Sequence, residues 1–485
     1  MEIATYTPAM LLAILPEIGL VVLAAVLLIL DLVWGDRRCG RLGWFTAGGM
    51  VVIMALSLAF SRPTPEAQLI FGGMLRLDMA GFVFRMLFLA GAALTALFSL
   101  QDEDLCLKGE FFVLLTVSTL GLSLMASAAD LIMLYLAMET ASLPLYAMAG
   151  FRLHNPRSSE AGIKYLLFGA MSSALMLYGF SLLYGLGGTT NLYALGATLS
   201  AGDVPFLTAA IAALLALAGF AFKISAVPFH FWAPDVYHGA PTQVAGFLST
   251  ASKAAGFVIL LRALAVIFPV VSGFWPVVII ILSLASMTIG NLLALAQKSL
   301  KRLLAYSSIA QAGYILVGVA ANNEIGAAGA IYYLISYLVT NLLAFGLVMV
   351  VEHHAGTDDL SVFAGLDRRS RVLGLLMLTA MLSLGGIPPF SGFFGKLWVF
   401  GGAVQANLWW LALIGLLNSV IGLYYYLRVL KVVYLDPASG EFSVSVIRGW
   451  AIALGICALG VILLGFIYAP AYNWALQAAQ TLLTY

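Results

Sequence analysis

Fourteen stretches of this chain are apolar for long enough to cross a bilayer, and that repetition leaves little choice of fold. A hydrocarbon layer of about 30 Å takes roughly 20 residues of helix at 1.5 Å each. In approximate bounds the segments are 8–34, 44–60, 79–100, 110–128, 131–151, 163–186, 205–238, 241–267, 274–296, 302–321, 325–351, 372–405, 407–434 and 448–480. Hydrophobic residues make up 62% of the 485 and charged ones only 9%, more apolar surface than a soluble fold of this size could hide. An all-α polytopic membrane protein of about 14 transmembrane helices is expected. The N-terminus, MEIATYTPAMLLAILPEIGL, carries no basic leader and no small-residue cleavage site, and reads as a retained first span.

Loop charges check the count independently. Loops after odd-numbered spans hold Arg37, Arg38, Arg41, Lys108, Arg152, Arg157, Lys164, Lys298, Lys301, Arg302, Arg368, Arg369, Arg371, Arg428, Lys431 and Arg448; loops after even-numbered spans hold only Arg62 and Arg76. Basic residues concentrate on the cytoplasmic side, so both termini are expected on the outer face. Five basic residues remain inside spans. Arg85 and Arg262 fall nearer the ends, where a long side chain is expected to snorkel to the interface. Lys223, Lys253 and Lys396 lie deeper.

Several chemistries drop out early. Cys39, Cys106 and Cys457 are scattered, with no CxxC and no Cys/His cluster, so no disulfide framework, iron–sulfur site or zinc site is expected. The five histidines lack metal spacing, and there is no GxGxxG turn or flavin motif. Redox chemistry in this chain itself is not expected.

The deep charges carry the functional signal. Glu139 sits mid-span in LYLAMETASLPLY, and helical spacing puts Tyr135, Glu139, Ser142 and Tyr146 on one face. Such a stripe faces protein or water. Lys223 comes five residues before Pro228, Lys253 lies in FLSTASKAAGF, and Lys396 follows SLGGIPPFSGFFG. A charge at the bilayer centre costs about 2.5–3.5 kcal/mol or more and marks function by default. Segments seven and twelve are too long for single spans and both contain prolines. A mid-helix proline frees backbone groups that lipid cannot satisfy, so the breaks belong in a protein-enclosed or water-lined interior. His230 and His238 flank the first break and are candidate proton shuttles or caps for freed carbonyls.

The two breaks also mark an internal repeat. VPFHFW (Val227 to Trp232) matches PPFSGF (Pro388 to Phe393), and GFVILLR (Gly256 to Arg262) matches GLYYYLR (Gly422 to Arg428). The offset of about five helices is odd, which gives the two units opposite topology. Lys253 then corresponds to Ser419, and Lys396 to Asp235. The expected division is an N-terminal three-helix segment (1–108), inverted five-helix repeats at 109–270 (helices 4–8) and 271–435 (helices 9–13) with broken helices 7 and 12, and a C-terminal helix 14 (436–485).

KISAVPFHFWAPDVYHGAPTQVAGFLSTASKAAGF, SLKRLLAYSSIAQAGY and GIPPFSGFFGKLWVF together resemble the antiporter-like membrane subunits of NADH:quinone oxidoreductase, respiratory complex I. The lysine of GFFGK is nearer the subunit N type than the subunit M type, which tends to carry a glutamate there. The resemblance implies a Glu–Lys pair at Glu139 and Lys223, a central lysine at Lys253, an exit lysine at Lys396, and a part for Lys164. It implies proton translocation driven indirectly by quinone reduction in other subunits, which would hold the NADH, FMN, iron–sulfur and quinone sites; no cofactor or metal is expected in this chain. It further implies other complex I membrane subunits as partners, the lipid bilayer of a bacterial cytoplasmic membrane as setting, and no nucleic acid. At about 4 Å and an effective dielectric of about 20 a Glu139–Lys223 pair would attract by roughly 4 kcal/mol. Loosening it would release a proton towards Lys253. The rival readings are a subunit of a related multi-subunit Na⁺/H⁺ antiporter, a structural scaffold, and a lone solute carrier.

Overall fold

The computed structural model describes residues 8–34, 40–64, 66–201, 204–267, 273–437 and 445–483. Arg37, Arg38 and Cys39 lie outside the described residues. Thirteen helices among those described are long and apolar enough to cross a membrane. The first six are α1 (Leu15–Trp34), α2 (Arg41–Phe60), α3 (Met79–Phe98), α4 (Gly109–Ser127), α5 (Leu131–Ala149) and α6 (Pro156–Gly187). Between α2 and α3 a short antiparallel hairpin joins β1 (Gln68–Ile70) to β2 (Leu75–Leu77). Segment seven divides into α7 (Phe206–Ile224) and α8 (Trp232–Gly239). Then come α9 (Thr242–Val266), α10 (Trp275–Leu295), α11 (Leu300–Ala320) and α12 (Glu324–Ala355). Segment twelve divides into α13 (Arg371–Gly385) and α14 (Ser391–Gln405), each 15 residues and too short to cross alone. Together they make the fourteenth crossing, beside α15 (Trp409–Tyr434) and α16 (Arg448–Phe466).

Helix starts follow from local chemistry. The Asp78 carboxylate accepts from Gly81 N at 2.7 Å to cap α3, and Asp130 accepts from Ile132 N at 2.9 Å to cap α5. Asn155, with Pro156 at the first helical position, opens α6; Ser299 opens α11 and Asn323 opens α12. Each cap satisfies a backbone N–H that a helix start leaves free.

The two breaks end alike. Ser225 (φ 57°) closes α7 and Gly386 (φ 80°) closes α13, both left-handed. Each break holds a cis X–Pro bond, Val227–Pro228 and Pro388–Pro389. A third irregularity lies inside α9, where Leu248–Ser252 widen into a π-helical turn ending at Lys253.

Helices α3, α9, α11 and α12 are buried almost all round and form the middle of the bundle. Helices that are apolar on every face belong there. The outer helices turn Leu32, Val33, Val420 and Phe466 outward, as a lipid-facing belt requires.

Three expectations need correction. Segment fourteen is not one helix to residue 480: α16 ends at Phe466, and α17 (Tyr468–Leu483) follows at a new angle. Pro470 sits in the first turn of α17, where its missing N–H costs nothing. The new helix packs on α3, α12 and α14, with Trp474 against Phe82 and Tyr472 stacked on Trp398 at 4.3 Å. Second, Arg85 and Arg262 do not snorkel. Each is 3% exposed, bound to Glu17 at 2.8 Å and to Asp78 at 2.8 Å respectively. Their distance from the helix ends pointed outward, but acids on sequence-remote elements hold them inward. Third, Cys106 is disulfide-bonded, a pairing made by the fold that spacing does not show, while Cys457 is a buried thiol.

Candidate functional site

Where the first turns of α6 meet α8, Lys164 binds Asp235 at 2.6 Å and Glu160 at 2.7 Å, and Asp235 also takes Arg302 at 3.0 Å. Beside this cluster a cavity of about 490 Å³ is lined by Asp102, Arg152, His238, Lys301, Glu352 and Asp358. His238 faces Asp358 at 3.6 Å, and Lys301, counted as a loop charge, is instead buried against Glu352 at 3.2 Å. Burial alone would raise the Asp358 carboxyl, but hydrogen bonds from His238 and Ser299 and the Lys301 ammonium hold it well below the usual carboxylate range.

Glu139 and Lys223 share a neighbourhood without touching. The Ser173 hydroxyl donates to Glu139 Oε1 at 2.6 Å, and Lys223 Nζ donates to Ser142 Oγ at 2.8 Å. No ion pair joins them among the described residues. α9 crosses Lys223 closely: a Cβ on Gly256 would stand 2.7 Å from Ile224 and 3.1 Å from Lys223 Cβ. Beyond Lys223, Ser225 Oγ and His230 Nδ1 in the break and Tyr237 Oη in α8 are all buried polar atoms. The Tyr237 hydroxyl lies within interaction range of both Ser225 and Ser308.

Lys253 is completely buried. Its ammonium donates to the Ser308 carbonyl at 2.8 Å and to Ser308 Oγ at 3.1 Å. Lys396 sits in the second break, donating to the carbonyls of Leu384 at 3.2 Å and Gly385 at 3.0 Å and to Ser419 Oγ at 2.7 Å, with the Tyr314 ring 4.9 Å away. Those carbonyls belong to the last turn of α13, freed because the helix stops, and a helix C-terminus favours a cation. Gly386 makes room, since a Cβ there would lie 2.8 Å from Lys396 Cδ.

A line of side chains crosses between these lysines. Ser307 shares a 2.5 Å hydrogen bond with Tyr426, Gln311 Nε2 donates to Tyr426 Oη at 3.0 Å and to the Leu384 carbonyl at 3.1 Å, and Tyr333 donates to Gln311 Oε1. The motif AYSSIAQAGY carries Ser307, Ser308 and Gln311 on α11, a polar run in an apolar helix that could have marked them. Tyr426 gives no such signal.

Residues 128–422 match the model of the family described as NADH:quinone oxidoreductase/Mrp antiporter, TM. The chain belongs to this family. A relative from Moorella thermoacetica named NADH-quinone oxidoreductase subunit N is 41% identical over 450 residues, covering 92% of this chain and 93% of that one. Among solved structures, a chain of respiratory complex I from Thermus thermophilus superposes with a TM-score of 0.80 at 34% identity, covering 94% of this chain and 98% of that chain. A chain of the Mrp complex from Dietzia sp. superposes with a TM-score of 0.85 at 21% identity, covering 99% and 100%, a likeness of fold. The NADH:quinone oxidoreductase/Mrp antiporter match begins at Ala128 and so takes in Glu139, Lys223, Lys253 and Lys396, while Glu17, Asp78 and Arg85 precede it. Among the described residues no group of three or more His, Cys, Asp or Glu is placed to hold a metal ion.

Proposed function

We propose that this chain is a proton-translocating membrane-arm subunit of an NADH:quinone oxidoreductase. Protons move through Glu139, Lys223, Lys253 and Lys396, driven indirectly by quinone reduction in partner subunits. One contrast carries the reading. The buried arginines Arg85 and Arg262 are matched by carboxylates, and so is Lys301 at the start of α11, whereas the three lysines deep in the spans, Lys223, Lys253 and Lys396, are held by hydroxyls and carbonyls. An arginine paired with an acid is fixed charge. A lysine hydrogen-bonded only to neutral oxygens can give up its proton without breaking a direct ion pair.

Lys164, His238 and the polar cavity form the cytoplasmic approach, and the buried polar groups Ser225, His230 and Tyr237 lead from Lys223 to Ser308 and Lys253. Ser173 holds Glu139 and Ser142 holds Lys223, so Glu139 acts on Lys223 through space, without a direct bond. The similar left-handed closures of α7 and α13 support two inverted repeats, 109–270 and 271–435, flanked by 1–108 and 436–485. Relatives named for NADH-quinone oxidoreductase support the complex I setting, with NADH, FMN, iron–sulfur clusters and quinone held by other subunits, in a bacterial cytoplasmic membrane with both termini periplasmic. The test is the whole complex carrying Lys253→Ala in proteoliposomes, with quinone reductase turnover and proton uptake measured separately. Undiminished proton uptake per quinone reduced would remove the relay.

A further inference from the structure

We propose that Gln311 is a checkpoint between Lys253 and Lys396, a carboxamide that interrupts the hydroxyl chain until it releases the Leu384 carbonyl; this deepens the relay reading and rests on it. Lys253 binds Ser308, whose hydroxyl donates to the Ala305 carbonyl at 2.8 Å; the adjacent Ser307, not itself bonded to Ser308, shares a 2.5 Å hydrogen bond with Tyr426. Hydroxyls can accept a proton on one side and pass another on from the other. At Tyr426 the chain meets Gln311, 1% exposed, whose Nε2 donates both to Tyr426 Oη and to the Leu384 carbonyl. That carbonyl only accepts, so the amide nitrogen, not the oxygen, must face it. The Leu384 carbonyl is also where Lys396 Nζ sits, at 3.2 Å.

A carboxamide nitrogen has no basic lone pair, so a proton arriving at Tyr426 cannot pass to Gln311; the other hydroxyl beside it, Tyr425, is committed to Asn291 Oδ1 at 3.0 Å. The Tyr333 hydroxyl, donating to Gln311 Oε1, fixes the amide from the far side. Gln311 thus stands between Tyr426 and the Leu384 carbonyl that Lys396 also occupies, and the parallel branch through Tyr425 meets a second carboxamide, Asn291, before Tyr314. Passage requires the amide to turn about its terminal torsion, which breaks its bonds to Tyr426 and Leu384 together. With the amide turned aside and Lys396 having first released a proton of its own, one proton leaves the Lys253 ammonium, each hydroxyl accepts one and passes another on, a water molecule beside Tyr426 carries it across, and the neutral Lys396 amine takes it up. No electron is needed, and water is the one added carrier.

The test uses the whole complex in proteoliposomes carrying Gln311→Glu, nearly the same shape but able to accept and release a proton. With no substrate and an imposed potassium diffusion potential, passive proton entry should rise several-fold over the parent. Protons moved per quinone reduced should fall while quinone reductase turnover is kept. Adding Tyr426→Phe should return the leak to the parent level, an outcome a merely structural glutamine does not produce. Lys253→Ala runs in the same series and separates the two readings: normal pumping in that variant removes the relay itself. If Lys253→Ala abolishes pumping while Gln311→Glu stays as tight and as well coupled as the parent, the checkpoint alone is overturned. A leak that survives Tyr426→Phe overturns it too.

Discussion

At the scale of single residues, the chemistry of buried cations sorts itself by side-chain type. Arg262 is held by both Asp78 oxygens, at 2.8 and 3.2 Å, and by the Tyr193 hydroxyl and the Ala126 carbonyl. A guanidinium does not deprotonate in proteins. Lys253→Arg should therefore keep a positive charge in α9 yet lose proton translocation as fully as Lys253→Ala, measured by a pH-sensitive dye in proteoliposomes. Substantial pumping by the arginine variant would show that charge alone, not a transferable proton, matters there. Asp358 supplies a pH test outside the spans. Its carboxyl is held low in the fold, so its stabilising share is present above the ordinary carboxylate range and is lost as pH falls through the lower folded value. Asp358→Asn should lower the unfolding temperature at neutral pH, and the gap to the parent should narrow below about pH 4, near the unperturbed value. A gap unchanged by acid would refute the charge-based clamp.

At the scale of elements, the interruptions do the positioning. The end of α13 exposes Leu384 and Gly385 carbonyls to Lys396, and Gly386 permits both the left-handed turn and the lysine's approach. Gly386→Val should cost roughly 1–2 kcal/mol for the backbone conformation alone. It also drives a side chain into Lys396, so proton translocation should fall sharply while the complex still assembles; a well-coupled variant would contradict that geometry. The spans and both breaks were legible in the sequence, because lipid penalises a charge or a proline so heavily that each one stands out. The deep lysines were legible for the same reason. The hydroxyls between them were not: Ser, Tyr and Gln are cheap enough to appear anywhere in a membrane helix, and their partners lie far along the chain, as Tyr426 does from Ser307. Arg85 and Arg262 were misread because only the fold brings Glu17 and Asp78 to them. The Glu139–Lys223 neighbourhood was half legible: Ser142, which Lys223 binds, was already on the expected Glu139 face, while Ser173, which holds Glu139, comes from another helix and was unforeseen.

For the whole molecule, span number and loop charge together set orientation. Alkaline phosphatase fused after Tyr485 should be active, and green fluorescent protein fused there should be dark, if the C-terminus faces the periplasm. The opposite pair of results would mean a crossing has been miscounted. The absence of carboxylate partners at Lys223, Lys253 and Lys396 among the described residues has a further effect on the ensemble. Like charges in a weakly screening interior repel over long distances, so simultaneous occupancy of all three sites is the least favourable loading. On the proposed relay the interior would then be a queue rather than a reservoir: admitting one proton at the near end would favour discharge of another at the far end.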